Sequence, residues 1–344
     1  MQRMIIALLL SLALVLAIGP GLIKWLRKLH FGQTIYELGP AHQQKQGTPI
    51  MGGLMFIIAS VVCALVLHPA RWLGGWDFML ALLAVSLLSM LVGFLDDFTK
   101  VAKKRNLGLT PWQKIAGQVF VAVAFSCYCY FNPYVGSAIH VPFLNTTWDL
   151  GLAYIPLMTL VVLFMVNSAN LQDGLDGLLG SVTCVGSVGW SMMALFSAVA
   201  ATALSAEQGS QYLSVAIFAM ALVGGTMGYL RFNAYPAKVF MGDTGSMFIG
   251  GATVGMAMLL RQPLMLLLVA FTMVVSSLSV MLQVGYFKYT KRKYGQGRRI
   301  FKMSPLHHHF EKCGMTETQI VTMYAIVTGV LSLIAVLSMS GLAI

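Results

Sequence analysis

Four short stretches hold most of the residues that could do chemistry. Asp96 and Asp97 are adjacent in Gly-Phe-Leu-Asp-Asp-Phe-Thr-Lys, at the end of a long apolar run. Asn167, Asn170, Asp173 and Asp176 lie in a short polar break between two further apolar runs. Asp243 stands between Gly242 and Thr244, shortly after Lys238 and Phe240. His307, His308 and His309 follow Pro305-Leu306 and precede Glu311. Carboxylates can hold a hard cation such as Mg²⁺, which takes one or two acids plus substrate phosphate oxygens. Lys, Arg and imidazole can hold the phosphates. Together these groups are the equipment for phosphoryl transfer, which needs positioning and charge neutralisation more than covalent chemistry.

Each stretch also has a plainer reading. Asp96 and Asp97 could be salt-bridged to Lys100, Lys103 or Lys104. Against that, both acids sit at a helix C-terminus, where the dipole disfavours negative charge. Asp173 or Asp243 could cap a helix, as Asp and Asn commonly do. Capping accounts for one acid of the 167–177 segment and not for two Asn with two Asp. Asp173 and Asp176 are three apart, so in a helical turn they share a side. Gly242 and Gly245 allow close backbone approach, and helix N-termini bind phosphate. The cations from Lys288 to Lys312 are explained mostly by membrane topology and anionic lipid. The three His are not. They lack a fourth ligand spaced for zinc, and imidazole donates to phosphate and titrates near neutrality.

The elements that must carry these residues follow from composition. The chain has 344 residues, of which 58% are apolar and only 10% charged. Mean hydropathy is +0.80. So few charges cannot keep that much apolar surface in water, which excludes a soluble, disordered or DNA-binding protein. Five Cys, none in C-x-x-C spacing, indicate neither a disulfide framework nor a zinc site. No Walker A phosphate loop is present.

Stretches free of Asp, Glu, Lys and Arg run over 4–23, 46–70, 78–95, 115–148, 150–172, 177–206, 208–230, 244–260, 262–287 and 318–344. A spanning helix takes about 20 residues. The 115–148 run is read as one helix to about 131 and a turn-rich tail. The expectation is an all-α polytopic membrane protein of ten transmembrane helices, forming one integral-membrane domain. The segments 24–47, 96–114, 167–176, 231–243 and 288–317 hold nineteen of the 22 Lys and Arg. By the positive-inside rule they are cytoplasmic, and both termini lie outside. Asp96, Asp97, Asp173, Asp176, Asp243 and the His run then share one cytoplasmic mouth. A cation-coupled transporter would place its acids near the bilayer midplane, on interrupted helices.

At Gly47–Gly53, Asp96-Asp97, 167–178, 233–250 and Pro305–Glu311 the sequence closely resembles the bacterial phospho-N-acetylmuramoyl-pentapeptide transferases, a branch of the polyprenyl-phosphate N-acetylhexosamine-1-phosphate transferase superfamily. These motifs span most of the chain. Ile50 and Thr110 depart from the residues common in that family, and neither removes a charge. The resemblance implies ten spans and a bacterial inner-membrane enzyme with its site on the cytoplasmic face. It implies transfer from UDP-MurNAc-pentapeptide to undecaprenyl phosphate, giving lipid I and UMP, with Mg²⁺ as cofactor. It implies a homodimer, and no nucleic-acid partner. Residue by residue, it makes Asp243 the metal ligand and places Asp96 and Asp97 at the lipid phosphate, with His307 catalytic. His308 and His309 go to the phosphates or the nucleoside sugar. Asn167 belongs to a matching stretch and joins the substrate-binding set. Asn170, Asp173, Asp176, Asn233, Phe240, Gly242 and Gln283 form the nucleoside pocket, with Phe240 on uracil and Lys45 and Thr48 completing it. A sister enzyme using UDP-GlcNAc would share the metal chemistry. The triple His is what separates the two branches.

Overall fold

The computed structural model describes residues 1–28, 47–69, 76–103, 108–144 and 146–339. Lys45 lies outside these residues. Twelve helices are described: α1 (Gln2–Lys28), α2 (Leu54–Val66), α3 (Phe78–Ala102), α4 (Pro111–Phe131), α5 (Tyr154–Gln172), α6 (Leu178–Thr202), α7 (Ala206–Asn233), α8 (Gly242–Leu259), α9 (Leu266–Val269), α10 (Phe271–Tyr294), α11 (Leu306–Lys312) and α12 (Glu317–Leu337). Among the described residues eight helices are long and apolar enough to cross a membrane: α1, α3, α4, α5 with the turn before it, α6, α7, α10 and α12. The chain is an all-α polytopic membrane protein.

The other two apolar runs also fold as helices, with differences from expectation. The 46–70 run yields only the 13 residues of α2. At 1.5 Å per residue that is about 20 Å, short of a ~30 Å hydrocarbon core. The 244–260 run becomes α8, 18 residues long and rich in Gly, Ala, Ser and Thr. The 262–287 run is not one helix. A 3-10 turn at Pro263–Met265 leads into the four-residue α9, and the chain breaks at Ala270. Restarting at Phe271 carries α10 on to Tyr294, so Lys288 to Lys293 are helical rather than loop. The turn-rich tail after α4 contains an antiparallel hairpin, β1 (Ala138–Val141) with β2 (Thr146–Asp149).

The core is built on α7 and α8. Every α8 residue from Thr244 to Leu259 is buried. Lipid is as apolar as Leu, so helices associate in a bilayer through close packing, which small residues permit. α3 and α5 flank α8, while α7 packs against α1 and α6. This layering places the C-terminal part of α3 and the N-terminus of α8 side by side at one end of the bundle.

Candidate active site

The contact between α3 and α8 depends on a missing side chain. A Cβ on Gly93 would overlap the Asp243 backbone carbonyl. With that clearance, Asp97 lies under the start of α8. Its Oδ2 accepts the Thr244 backbone N–H at 2.9 Å and the Thr244 hydroxyl at 2.7 Å. Asp97 is thus near the unfavourable end of its own helix and at the favourable end of the neighbouring one. Gly242 has φ +75°, and a Cβ there would lie 2.6 Å from Asp97 Oδ2. Its role in this structure is to let the backbone turn above that carboxylate. Asp96 accepts the Leu109 N–H at 2.9 Å, just before α4.

Asp96, Asp97 and Asp243 each offer a carboxylate oxygen within 4.8 Å of the other two. Two lysines balance them. Lys100 Nζ lies 2.6 Å from Asp96, 3.5 Å from Asp97 and 3.2 Å from Asp243. Lys114 Nζ lies 2.8 Å from Asp243. The salt-bridge reading of Lys100 is therefore correct, and it does not exhaust the cluster, which keeps one more carboxylate than cation. Three convergent hard oxygen donors suit a divalent metal ion. Lys114 was not singled out by sequence reasoning. The signal was available: it is the lone charge in the 21-residue apolar helix α4.

Asn170, at the end of α5, donates to Asp243 Oδ1 at 2.8 Å and to the Ser246 hydroxyl at 2.9 Å. This fixes the Asp243 rotamer from a third helix. One turn away Asn167 donates to Gln118 Oε1 at 2.9 Å and to the Leu163 carbonyl at 2.7 Å. Asn167 ties α5 to α4 and holds the Lys114 and Asn170 faces in register.

A second group surrounds the turn after α5. Asp176 Oδ2 accepts the Ala237 N–H at 3.0 Å, and the Asp176 N–H donates to Glu317 Oε2 at 3.2 Å. The Gly177 N–H donates to Asn233 Oδ1 at 3.0 Å, and Asn233 Nδ2 donates to the Val239 carbonyl at 2.9 Å. Asp176 and Asn233 therefore lock the 173–177 turn to the 234–239 loop. Glu317, at the start of α12, is a second residue that sequence reasoning missed. Asp173 is half-buried in surface area but crowded by protein on all other sides. That desolvation, followed by the charges of Asp243, Asp97 and Asp176, pushes its carboxyl up to about 8.

His307 is fully buried, and neither ring nitrogen has a hydrogen-bond partner among the described residues. A Cβ on Gly174 would overlap its Nε2, so the imidazole is seated against the Asp173-Gly174 backbone. Burial, and then neighbouring His308, lower its pKa to about 3. His307 is a neutral imidazole at any physiological pH. His308 Nδ1 lies 3.0 Å from Glu311 Oε2. His309 Nδ1 accepts the Lys302 N–H at 3.1 Å, which leaves the proton of its neutral form on Nε2.

Phe240 is half-buried, and its backbone pairs with Pro49 and Gly52 at 2.8 Å each. That pairing brings the loop before α2, with half-buried Thr48, beside the start of α8. Gln283 accepts the Ile300 and Phe301 N–H groups and donates to the Phe301 carbonyl, all at 3.0 Å. In this conformation it clamps the 300–302 loop to α10.

Buried acids, paired cations and unpartnered imidazole at one end of a helical bundle define a membrane-embedded phosphoryl-transfer class of protein. The family model described as glycosyl transferase family 4 matches residues 79–261, more than half of the chain. A phospho-N-acetylmuramoyl-pentapeptide-transferase of Thermoanaerobacter sp. (strain X514) is 42% identical over 342 residues, covering 99% of this chain and 100% of the relative. The protein of that name from Clostridium novyi (strain NT) is 40% identical over 342 residues, covering 98% of each. The one from Heliobacterium modesticaldum is 43% identical over 323 residues, covering 93% of each. The chain belongs to the phospho-N-acetylmuramoyl-pentapeptide-transferase family and is a transferase enzyme.

Proposed function

We propose that the protein transfers phospho-MurNAc-pentapeptide from UDP-MurNAc-pentapeptide to undecaprenyl phosphate, with Mg²⁺, at the cytoplasmic face of a bacterial inner membrane. The products are undecaprenyl-diphospho-MurNAc-pentapeptide and UMP, in the first membrane step of peptidoglycan synthesis. The observation that carries this reading is the convergence of Asp96, Asp97 and Asp243 within 4.8 Å beside Lys100 and Lys114. The single integral-membrane domain, with its loops on one side, and a homodimeric state come with the reading.

Asp243 would hold the metal ion, with Asp97 and Asp96 adjacent, and the ion would supply neutralisation of the diphosphate charge. An oxygen of the lipid phosphate attacks the sugar-bearing phosphorus. The bond from that phosphorus to the bridging oxygen breaks, and the electron pair leaves with UMP. The acceptor is already anionic near neutral pH, so direct attack needs little activation. Asp96 and Asp97 orient the acceptor or take its remaining proton. Lys100 and Lys114 hold the phosphates. His307, neutral and unpartnered, donates a hydrogen bond to charge developing on phosphate oxygen. Asn170, Asp173 and Phe240 line the nucleoside side with Asp176, Asn233, Gly242, Gln283, Thr48 and Lys45, and Phe240 faces the base. Asn167, His308 and His309 support the sugar and phosphates.

The test is UMP release by purified protein in lipid, with UDP-GlcNAc as control. Release is expected from UDP-MurNAc-pentapeptide only when undecaprenyl phosphate and Mg²⁺ are both present. Equal release from UDP-GlcNAc would assign the chain to the sister chemistry. Labelled UMP should not exchange into donor without acceptor. Robust exchange in lipid-stripped enzyme would mean a covalent aspartyl intermediate instead.

A further inference from the structure

The chemistry above makes no use of the hairpin between α4 and α5. That hairpin lies at the end of the bundle opposite the acidic cluster: Tyr128 donates to the Asp77 carbonyl at 3.2 Å, and Phe78 packs edge-on against Tyr134. Asp77 starts α3, and the cluster lies near the other end of that helix.

The base of the hairpin is fixed. The His140 N–H donates to the Arg261 carbonyl at 2.9 Å, Arg261 Nε donates to the Ala138 carbonyl at 3.0 Å, and Ile139 is buried. Its tip and second strand are bare. Phe143 is 59% exposed, Leu144 67% and Trp148 54%. Phe143 has φ +66°, a left-handed conformation that a bulky residue adopts only under constraint. From residue 115 to 148 there is no Asp, Glu, Lys or Arg. The hairpin's one charged residue, Asp149, sits at its base, paired with Ala138 and accepting the Ser137 hydroxyl at 2.6 Å. A hairpin surrounded by water has little reason to display Phe, Leu and Trp with no other charge. Exposed apolar side chains also continue onto the neighbouring helices. Phe131 at the end of α4 and Leu152 just before α5 are exposed, as are Phe120 and Leu160 farther along those two spanning helices.

From this we infer that the hairpin is an interfacial anchor, with Phe143, Leu144 and Trp148 seated in the headgroup–acyl boundary of the leaflet opposite the acidic cluster. Aromatic side chains at the ends of spanning helices favour that level of a bilayer. The pairing Ile139↔Trp148 and His140↔Thr147 puts Trp148 and Thr147 on opposite faces of the hairpin. On this inference Thr147, exposed and on the face away from Trp148, meets water and serves as the reference.

The experiment uses the full chain in phosphatidylethanolamine–phosphatidylglycerol vesicles. The background carries Cys313→Ser, which removes the exposed thiol. Phe143→Cys, Trp148→Cys and Thr147→Cys are each labelled with an environment-sensitive fluorophore. UMP release at the parental rate certifies the fold of each variant. The labels at 143 and 148 should lose emission to lipids brominated near the headgroup end of the acyl chain and be protected from aqueous iodide. The label at 147 should show the reverse. Iodide quenching of all three overturns the inference, because the hairpin then stands in water. Shielding of 143 from both quenchers also overturns it, because that face is then covered by protein, a second copy included.

Discussion

Helix α3 carries a buried acid at each end, and the two ends solve the same electrostatic problem differently. Asp77 precedes the first turn. It caps α3 by accepting the Leu80 N–H at 3.0 Å, and it meets His68 at 3.0 Å. The helix dipole favours a negative charge there, so the fold alone accounts for the residue. Asp96 and Asp97 lie in the last two turns, where that dipole opposes them. They are held by groups from elsewhere: the N-terminus of α8, the segment before α4, and the Lys100 ammonium. A buried acid at the favourable end is a cap, whereas one at the unfavourable end needs partners that the rest of the fold must supply. On the proposed function, this contrast separates a structural Asp from a functional one within a single helix.

The sharpest test exchanges charge for amide at the functional end. Asp243→Asn keeps the shape and leaves an acceptor for Asn170. It should lower UMP release by about 100- to 1000-fold, the scale for losing one preorganised electrostatic group, with the melting temperature unchanged. Activity near the parental rate would remove Asp243 from the metal site.

Lys114→Met leaves the three carboxylates with Lys100 alone. Turnover should fall, while half-saturation by Mg²⁺ should move about tenfold lower, since a nearby cation opposes binding of another. An unchanged half-saturation would mean that Lys114 and the metal do not compete for the same charge.

A smaller effect concerns pH. Asp173 is protonated below about 8. A divalent cation favours the ionised carboxyl and displaces that proton, so apparent affinity should rise with pH up to about 8 and level off above it. Asp173→Asn should flatten the profile. His307, held near 3, adds no titration between neutral and weakly acidic pH. A profile unaltered in Asp173→Asn would sink the linkage.

The smallest expected effect on activity comes from the structural end. Asp77→Ala should reduce stability by about 1–2 kcal/mol through loss of the cap, seen as a lower melting temperature, with turnover within about twofold of parental. Loss of turnover without loss of stability would break the comparison between the two ends.

Much of this was legible in the chain. The apolar runs located every long helix among the described residues, and the motif residues supply most of the side chains of the candidate site. Three features were hidden. Lys114 and Glu317 reach the site from helices whose sequence neighbours do no chemistry. Asp176, Asn233 and Gln283 resemble ligand contacts by motif, yet here their hydrogen bonds hold loops together. The break at Ala270 lies inside an uninterrupted apolar run, where hydropathy carries no information about helix continuity.

The sequence by itself determined that the chain crosses a membrane repeatedly and that most of its acids gather at one end. Hydropathy and charge are properties of residues in order, and the bilayer sorts them by position along the chain. Only the tertiary structure decided that Asp96, Asp97 and Asp243 meet within 4.8 Å. The last of these is far from the first two in sequence, and no spacing rule joins them. They meet because Gly93 lets the α8 backbone press against α3, and because the α8 N-terminus stabilises the Asp97 charge that α3 alone would resist.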